Sequence, residues 1–99
     1  MSKAYLIARI RVHDKEGFET FKQMSTPLIS KYGGRLLARN PEVETLEGNQ
    51  EGLVVLLEFG SMDEARQFYF SDGYTAAKLV REKASEADLI LVEGVSQQA

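Results

Sequence analysis

The 99-residue sequence contains no cysteine, no tryptophan and only one histidine. Without cysteine, disulfides, thiolate catalysis and cysteine-ligated metals are excluded, and a single histidine excludes a site built from several imidazoles. We therefore predict no metal site and no cofactor. Because the cytosol is the compartment where disulfides are rare, the composition favours a cytoplasmic protein.

Long apolar runs and an excess of positive charge are also missing. No run approaches the ~20 apolar residues of a membrane span, and the N-terminus lacks the apolar region and cleavage site of a signal peptide. The formal net charge is −3, whereas nucleic-acid binding normally needs a basic face. We expect neither a membrane nor a nucleic acid as partner, and a length that suits one domain spanning residues 1–99.

The most informative stretch is an apolar strand that leads into a capped helix. Residues 53–59 are too short for a typical helix and rich in branched side chains, so they predict a strand inside a sheet. Gly60 ends it, and Ser61–Met62–Asp63–Glu64 reads as a capping box. Helical spacing then continues to residue 84, but Ser71–Asp72–Gly73 interrupts it and predicts two helical pieces.

The other elements follow from periodicity and turn residues. Alternation predicts strands near residues 3–12, 34–39 and 87–95, and a stripe of apolar residues predicts a helix near 14–32 that Asp14 caps. Pro27 should kink that helix or make it restart after Ser25–Thr26, and Gly33–Gly34 should end it. Residues 43–47 are predicted as a short strand extension or hairpin arm.

The order strand, helix, strand, strand, helix, strand predicts an α+β protein of the ferredoxin-like split βαβ type. The sheet is then antiparallel, in the order fourth, first, third, second strand, with the helices on one face. The side chains predicted to pack between helices and sheet are Leu6, Ile10, Phe18, Phe21, Leu28, Leu53, Val55, Leu57, Phe59, Phe68, Leu79, Ile90 and Val92.

The opposite face of this sheet has no cover within one chain. Parity places an apolar band there, flanked by charges at the two ends of the strands, so we predict a homodimer formed through this open face. The band is predicted to comprise Ile7, Leu37, Val54, Leu56, Leu89 and Leu91. The charges are predicted to be Arg9, Arg11 and Arg39 at one edge and Glu58 and Glu93 at the other.

Several short motifs, taken together and in order, resemble a known family over nearly the whole chain. They are Ala4–Tyr5, Lys31–Tyr32–Gly33–Gly34–Arg35, Leu46–Glu47–Gly48, Glu58–Phe59–Gly60–Ser61, Phe68 to Tyr74, and Leu91–Val92–Glu93–Gly94. The chain resembles the domain-of-unknown-function family thirteen-thirty, a branch of the dimeric α+β barrel superfamily. Where that family usually has Ser-Pro-x-Tyr, this chain has Ser71–Asp72–Gly73–Tyr74. The resemblance implies a homodimer and a small-molecule-sized cavity between sheet and helices, and no established reaction.

Four residues are candidates for ligand binding, and each also has a structural interpretation. Glu58 ends an apolar strand, where it is either a carboxylate facing a pocket or one half of a cross-strand ion pair with Arg35. Tyr69 and Tyr74 flank the predicted helix break, where they either belong to the core or line a cavity. If a ligand binds, we expect it near the break, in contact with Tyr69, Tyr74 and either Glu58 or Arg35.

Two further residues are given structural roles. His13 could act as a general base, but a solvated loop histidine is the favoured interpretation. Arg81 could present a charge to an acid, but a solvated helix arginine is favoured, with Arg81–Glu82–Lys83 as an exposed helix face. No catalytic residue is assigned. Two function classes stay open: a protein that binds or transforms a small organic molecule between sheet and helices, and a non-catalytic dimeric module with a structural or regulatory role.

Overall fold

A computed structural model describes residues 2–96. The strands are β1 (Ala4–Val12), β2 (Arg35–Asn40), β3 (Leu53–Phe59) and β4 (Ser85–Glu93), and the helices are α1 (Lys15–Lys31), α2 (Met62–Tyr69) and α3 (Asp72–Ala84). The four strands form one antiparallel sheet in the order β2-β3-β1-β4. The predicted ferredoxin-like fold, its strand order and the interrupted second helix are therefore confirmed.

Side-chain caps begin all three helices. The carboxylate of Asp14 accepts from the N–H of Gly17 at 3.2 Å, and the hydroxyls of Ser61 and Ser71 accept from N–H groups three residues later, each at 3.1 Å. Each of these contacts satisfies a donor that a helix start would otherwise leave unpaired. The break at residues 70–71 is thus a second helix start that Ser71 stabilises.

Two local expectations are wrong: the restart of the helix at Pro27, one of the two alternatives for that residue, and the strand at residues 43–47. Residues 15–31 form one continuous helix with Pro27 inside it, so α1 does not restart after Ser25–Thr26. Pro27 and Gln23 are both exposed, so water can bind the Gln23 carbonyl that the missing N–H leaves free. Residues 43–47 form no strand, and the whole stretch 41–52 between β2 and β3 is an irregular connection.

The core lies between the helices and one face of the sheet. The alternate residues of β1 from Ala4 to Ile10 point into it and are at most 3% exposed, and Phe59 and Phe68 are each 1% exposed. Ten of the predicted core residues belong to this cluster or pack against it. Three predictions are wrong, because Leu79, Ile90 and Val92 are 58%, 59% and 45% exposed.

The register of β4 explains two of these errors. Leu91 lies opposite Leu6 and Leu89 opposite Ala8, so both face the helices, whereas Ile90 lies opposite Ile7 on the open face. Both faces of β4 carry large apolar residues, and alternation alone therefore does not distinguish them. The same register removes Leu89 and Leu91 from the predicted open-face band. It also puts Glu93 opposite Ala4, on the helix-covered face and not on the open face where the glutamate edge was predicted.

An irregularity in β2 changes the face of a second charged residue. Leu36 pairs with Leu57 and Ala38 with Leu56, so Leu37 is an extra residue between two pairs. A bulge of this kind moves every later side chain to the other face of the strand. Arg39 consequently lies opposite Val55 on the helix-covered face, and not at the predicted arginine edge of the open face.

The last helix and the last strand are joined without a loop. Helix α3 ends at Ala84 and β4 begins at Ser85, whose hydroxyl donates to the carbonyl of Arg81 at 2.9 Å. The Ala84 carbonyl accepts from the backbone N–H groups of His13 and Asp14 at 3.0 and 3.1 Å. This junction fixes the end of α3 against the connection between β1 and α1.

Candidate functional site

A small cavity of about 40 Å³ lies between the helix-covered face of the sheet and the helices. Space of this size holds a water molecule or the polar head of a small ligand. The walls are mostly aliphatic and aromatic, with a few polar groups among them, which is the usual make-up of a small-molecule site. The lining residues are Leu6, Ala8, Ile10, Phe18, Phe21, Lys22, Ser25, Ile29, Leu36, Arg39, Val55, Leu57, Phe68, Tyr74, Arg81 and Leu89.

Arg81 is the main polar group of this cavity, and its position corrects a prediction from the sequence. It was predicted to be solvated but is 4% exposed, the only charged side chain among residues 2–96 that is buried. The buried residues of α3 are Tyr74, Ala77, Arg81 and Ala84. Their spacing of three or four residues is that of one helix face, and this spacing is the signal in the sequence that identifies Arg81 as buried.

The buried guanidinium has aromatic and phenolic neighbours but no acidic one. Its Nη1 donates a hydrogen bond to the hydroxyl of Tyr74, and its centre lies 5.6 Å from the ring of Phe21 and 5.9 Å from that of Tyr74. None of the ion pairs among residues 2–96 includes Arg81. Aromatic rings offset part of the cost of burying a cation, but they do not neutralise its charge.

Tyr74 is held beside Arg81 by the break between α2 and α3. The N–H of Tyr74 donates to the Ser71 cap, and its ring packs 4.7 Å from that of Phe68 and 5.2 Å from that of Tyr69. Burial raises the pKa of Tyr74 to about 12, although the nearby Arg81 charge acts in the opposite direction. The phenol therefore stays protonated at neutral pH and can donate a hydrogen bond.

Two more cations stand where the cavity opens to the surface. Lys22 and Arg39 line both the cavity and an outer groove of about 380 Å³ between α1 and β2. The other residues that line the groove are Glu19, Gln23, Thr26 and Pro27. Lys22 pairs with Glu19 at 2.6 Å. Arg39 reaches this position because the bulge in β2 turns it to the helix-covered face.

The structure brings the four predicted ligand-binding residues together only in pairs. Arg35 and Glu58 form the cross-strand ion pair at 3.6 Å, on the open face. Tyr69 and Tyr74 stack with ring centres 5.2 Å apart, on the helix-covered face. Because the sheet separates the two pairs, one ligand in the cavity does not contact Glu58 or Arg35 as well as the tyrosines.

Glu58 and His13 fit structural roles. The half-buried carboxylate of Glu58 also accepts from the hydroxyl of Tyr5 at 3.3 Å and pairs with Lys3 at 3.5 Å. Its partners thus include two cations and a phenol, which agrees with the interpretation of Glu58 as one half of an ion pair. His13 is exposed at the end of β1. Its backbone N–H donates to the carbonyl of Ala84, and its side chain makes none of the contacts described above.

Within residues 2–96, no group of three or more His, Asp or Glu side chains is placed to hold a metal ion. None of the described helices is both long and apolar enough to cross a membrane.

Comparison with known proteins identifies a family and a set of structural relatives. The model of the family "Domain of unknown function (DUF1330)" matches residues 3–95. A comparison with curated proteins gives no match.

The solved structures most informative here all share the fold at low identity. A protein of unknown function from Rhodopseudomonas palustris is 15% identical, with a TM-score of 0.76 over 96% of this chain and 84% of that one. SnoaB, a cofactor-independent oxygenase from Streptomyces nogalater, is 15% identical, with a TM-score of 0.70 over 100% and 97%. A dimeric ferredoxin-like protein of unknown function from Thermobifida fusca is 16% identical, with a TM-score of 0.63 over 96% and 92%.

Proposed function

The chain belongs to the DUF1330 family of unknown function, and we propose that it binds a small organic molecule in the cavity between sheet and helices. The observation that supports this proposal is the Arg81–Tyr74 pair, two buried polar groups that converge on an otherwise apolar cavity. Polar groups in such a place orient a ligand whose remaining surface contacts the apolar walls. We keep the predicted cytoplasmic location as part of this proposal.

Tyr69 and Tyr74, of the four predicted ligand-binding residues, fit this site in different ways. Tyr74 lines the cavity itself. The ring of Tyr69 packs against the ring of Tyr74, so we assign Tyr69 a positioning role. Arg35 and Glu58 lie on the other face and belong to the second proposal below.

Binding is the function that these groups support, and no reaction is assigned. The raised pKa of Tyr74 makes it a hydrogen-bond donor and a poor base at neutral pH. The oxygenase SnoaB shares the fold at 15% identity, and chemistry on a bound molecule is therefore a second candidate that the same ligand search would detect through product formation.

Ligand-observed NMR with a set of small metabolites tests the binding proposal. We expect at least one saturable ligand for the native protein. The cavity variant Ala8→Val adds two methyl groups at a 2% exposed lining position and should abolish the signal. Ala76→Val, an exposed position on α3, is the matched control and should keep it. If Ala8→Val binds every ligand as the native protein does, the cavity is not the site.

The open face supports a homodimer, the partner predicted from the sequence. Ala38, Leu56, Ile7 and Ile90 lie side by side across all four strands in one register row. Large apolar side chains that stay half exposed on a flat face favour association with a second copy. If no metabolite binds the native protein, this dimer is the main function left, in agreement with a structural or regulatory module.

The charges around this apolar row differ from those predicted. Arg9 and Arg11 both pair with Asp88 of their own chain, at 3.4 and 3.1 Å, while Arg35 and Lys3 pair with Glu58. Each of these cations already has a carboxylate partner within its own chain, so the interface does not require glutamates from the partner. We therefore propose a dimer held by the apolar row, with the paired charges at its borders.

A further inference from the structure

The charges that line the cavity are all of one sign. The whole chain has 12 Lys and Arg against 15 Asp and Glu, yet the described residues around the cavity include Lys22, Arg39 and Arg81 and no acidic residue. Lys22 is paired with Glu19 at the outer groove, but Arg81 has no acidic partner among residues 2–96, so the buried end of the cavity has a positive potential. Such a potential favours a negatively charged occupant.

The buried end of the cavity has the donors that a carboxylate needs. The guanidinium of Arg81 is planar and offers several N–H groups, of which one is used on the Tyr74 oxygen. The Tyr74 oxygen accepts that bond, so its own proton is free for another acceptor. A guanidinium and a phenol O–H that meet at one point can bind the two oxygens of one carboxylate.

Size and polarity distinguish a carboxylate from other anions and from neutral ligands. A phosphate dianion carries twice the charge of the one buried guanidinium and needs more donors than the apolar walls supply. A neutral amide would leave the buried charge without a counter-ion. The volume of about 40 Å³ admits the head of a small acid, while the opening at Lys22 and Arg39 gives its chain a way toward the outer groove.

On the basis of the proposed function, we infer that the occupant is an organic monocarboxylate with a short apolar chain. Its carboxylate binds Arg81 and Tyr74, and its chain contacts the apolar wall and leads toward Lys22 and Arg39. The bound carboxylate supplies the negative charge that the buried arginine lacks within its own chain.

Isothermal titration of the native protein with matched acids and amides tests this inference. Butyrate, hexanoate and benzoate are compared with butyramide, and sodium chloride and inorganic phosphate are titrated at the same ionic strength. We expect saturable binding of at least one carboxylate, at least tenfold tighter than its amide and tighter than either inorganic anion. The sodium ion is common to the acids and to the chloride control and cannot explain a difference.

Variants place the carboxylate within the cavity. Arg81→Lys keeps a positive charge but loses the planar fork, and Tyr74→Phe removes only the hydroxyl, so each should weaken carboxylate binding at least tenfold. Arg66→Gln, on the exposed side of α2, removes a cation elsewhere and should leave binding unchanged. Because Arg81→Lys can disturb folding, circular dichroism is recorded for each variant, and Tyr74→Phe provides an independent result.

The possible outcomes separate this inference from the binding proposal. If butyramide binds as tightly as butyrate, the carboxylate class is wrong while binding in the cavity stands. If phosphate or chloride binds as tightly as the acids, the site takes inorganic anions and the inference is overturned. If Arg66→Gln weakens binding as much as Tyr74→Phe, the acids bind elsewhere and the inference also fails.

Discussion

The two faces of the sheet differ in how they treat their cationic side chains. On the open face, Arg9, Arg11 and Arg35 each lie within an ion pair of the same chain, with Asp88 or Glu58. On the helix-covered face, Arg81 is buried with no acidic partner among residues 2–96. The exposed cations thus have acidic partners where water already screens charge, and the buried cation has none within residues 2–96.

This difference identifies the face on which a ligand is expected. Surface ion pairs contribute little to stability and have no need of an outside partner. A buried arginine without an acidic partner is unfavourable for folding. A ligand that supplies the missing negative charge gives a reason for its retention. Apolar side chains show the opposite pattern, since those on the helix-covered face are buried and those on the open face have no cover within one chain.

The largest expected effect comes from two neighbours on β3 that face opposite sides. Leu57 is 4% exposed in the core, so Leu57→Ala should lower the free energy of unfolding by about 2–5 kcal/mol. Leu56→Ala, on the open face, should cost less in dilute solution, with a cost that grows with protein concentration as the dimer forms. Urea denaturation at two concentrations measures both. Equal costs at all concentrations would remove the distinction between the faces.

A charge on the open face should separate the dimer. Leu56→Arg places an unpaired charge in the apolar row and should yield a monomer at micromolar concentration in sedimentation velocity. Arg39→Glu is the control, because Arg39 lies on the helix-covered face and its reversal should leave the dimer intact. A native protein that sediments as a monomer, or a dimer indifferent to Leu56→Arg, contradicts the proposed interface.

Removing the buried polar pair should leave the unliganded protein as stable as before or more so. In Arg81→Met combined with Tyr74→Phe, neither partner stays behind unsatisfied, and replacing buried charge by apolar groups is neutral or stabilising by about 1–4 kcal/mol. On the open face, Asp88→Ala should change stability by less than about 1 kcal/mol. A strongly destabilised double variant would show that the pair supports the fold and not a ligand.

The last effect appears only at high pH and concerns the titration of Tyr74. Its folded pKa of about 12 exceeds the ordinary value of 10.0, so the folded protein holds this proton more tightly than the unfolded chain. The resulting stabilisation is fully present below pH 10 and is lost as the pH rises from about 10 to about 12. Tyrosinate absorbance should show one late-titrating group, which Tyr74→Phe removes. A Tyr74→Phe curve that keeps the late group assigns it to another tyrosine.

The contrast between the faces also shows what the sequence could predict. Strand order, caps and the helix break followed from local patterns. Ser61 and Ser71, for example, each accept from an N–H only three residues later, a contact that does not depend on the rest of the fold. The face to which each β4 side chain points did not follow from such patterns, because the residues at alternate positions are apolar on both faces. The polar signal was present, since Glu86 and Asp88 share the parity of Ile90 and lie opposite Arg11 and Arg9.

The candidate site was predicted in part. Tyr74 was named, and its neighbour Arg81 was assigned to solvent because a charged residue is rarely buried. Arg39 could not be placed, because one bulge residue in β2 decides its face and nothing in Leu36–Leu37–Ala38 marks the bulge. The prediction that one ligand contacts both Glu58 and the tyrosines does not fit the structure. Residue type alone does not show on which side of the sheet a side chain lies.

The direct junction of α3 and β4 has a consequence for how the length of this chain can vary. One residue inserted between Ala84 and Ser85 would shift β4 by one position and exchange Leu89 and Leu91 with Ile90 and Val92. The same insertion would break the hydrogen bond from the Ser85 hydroxyl to the Arg81 carbonyl. Residues 41–52, in contrast, form an exposed irregular connection, where added residues cost only loop-closure entropy. We expect insertions and deletions among homologues to collect there and to be absent at residues 84–85.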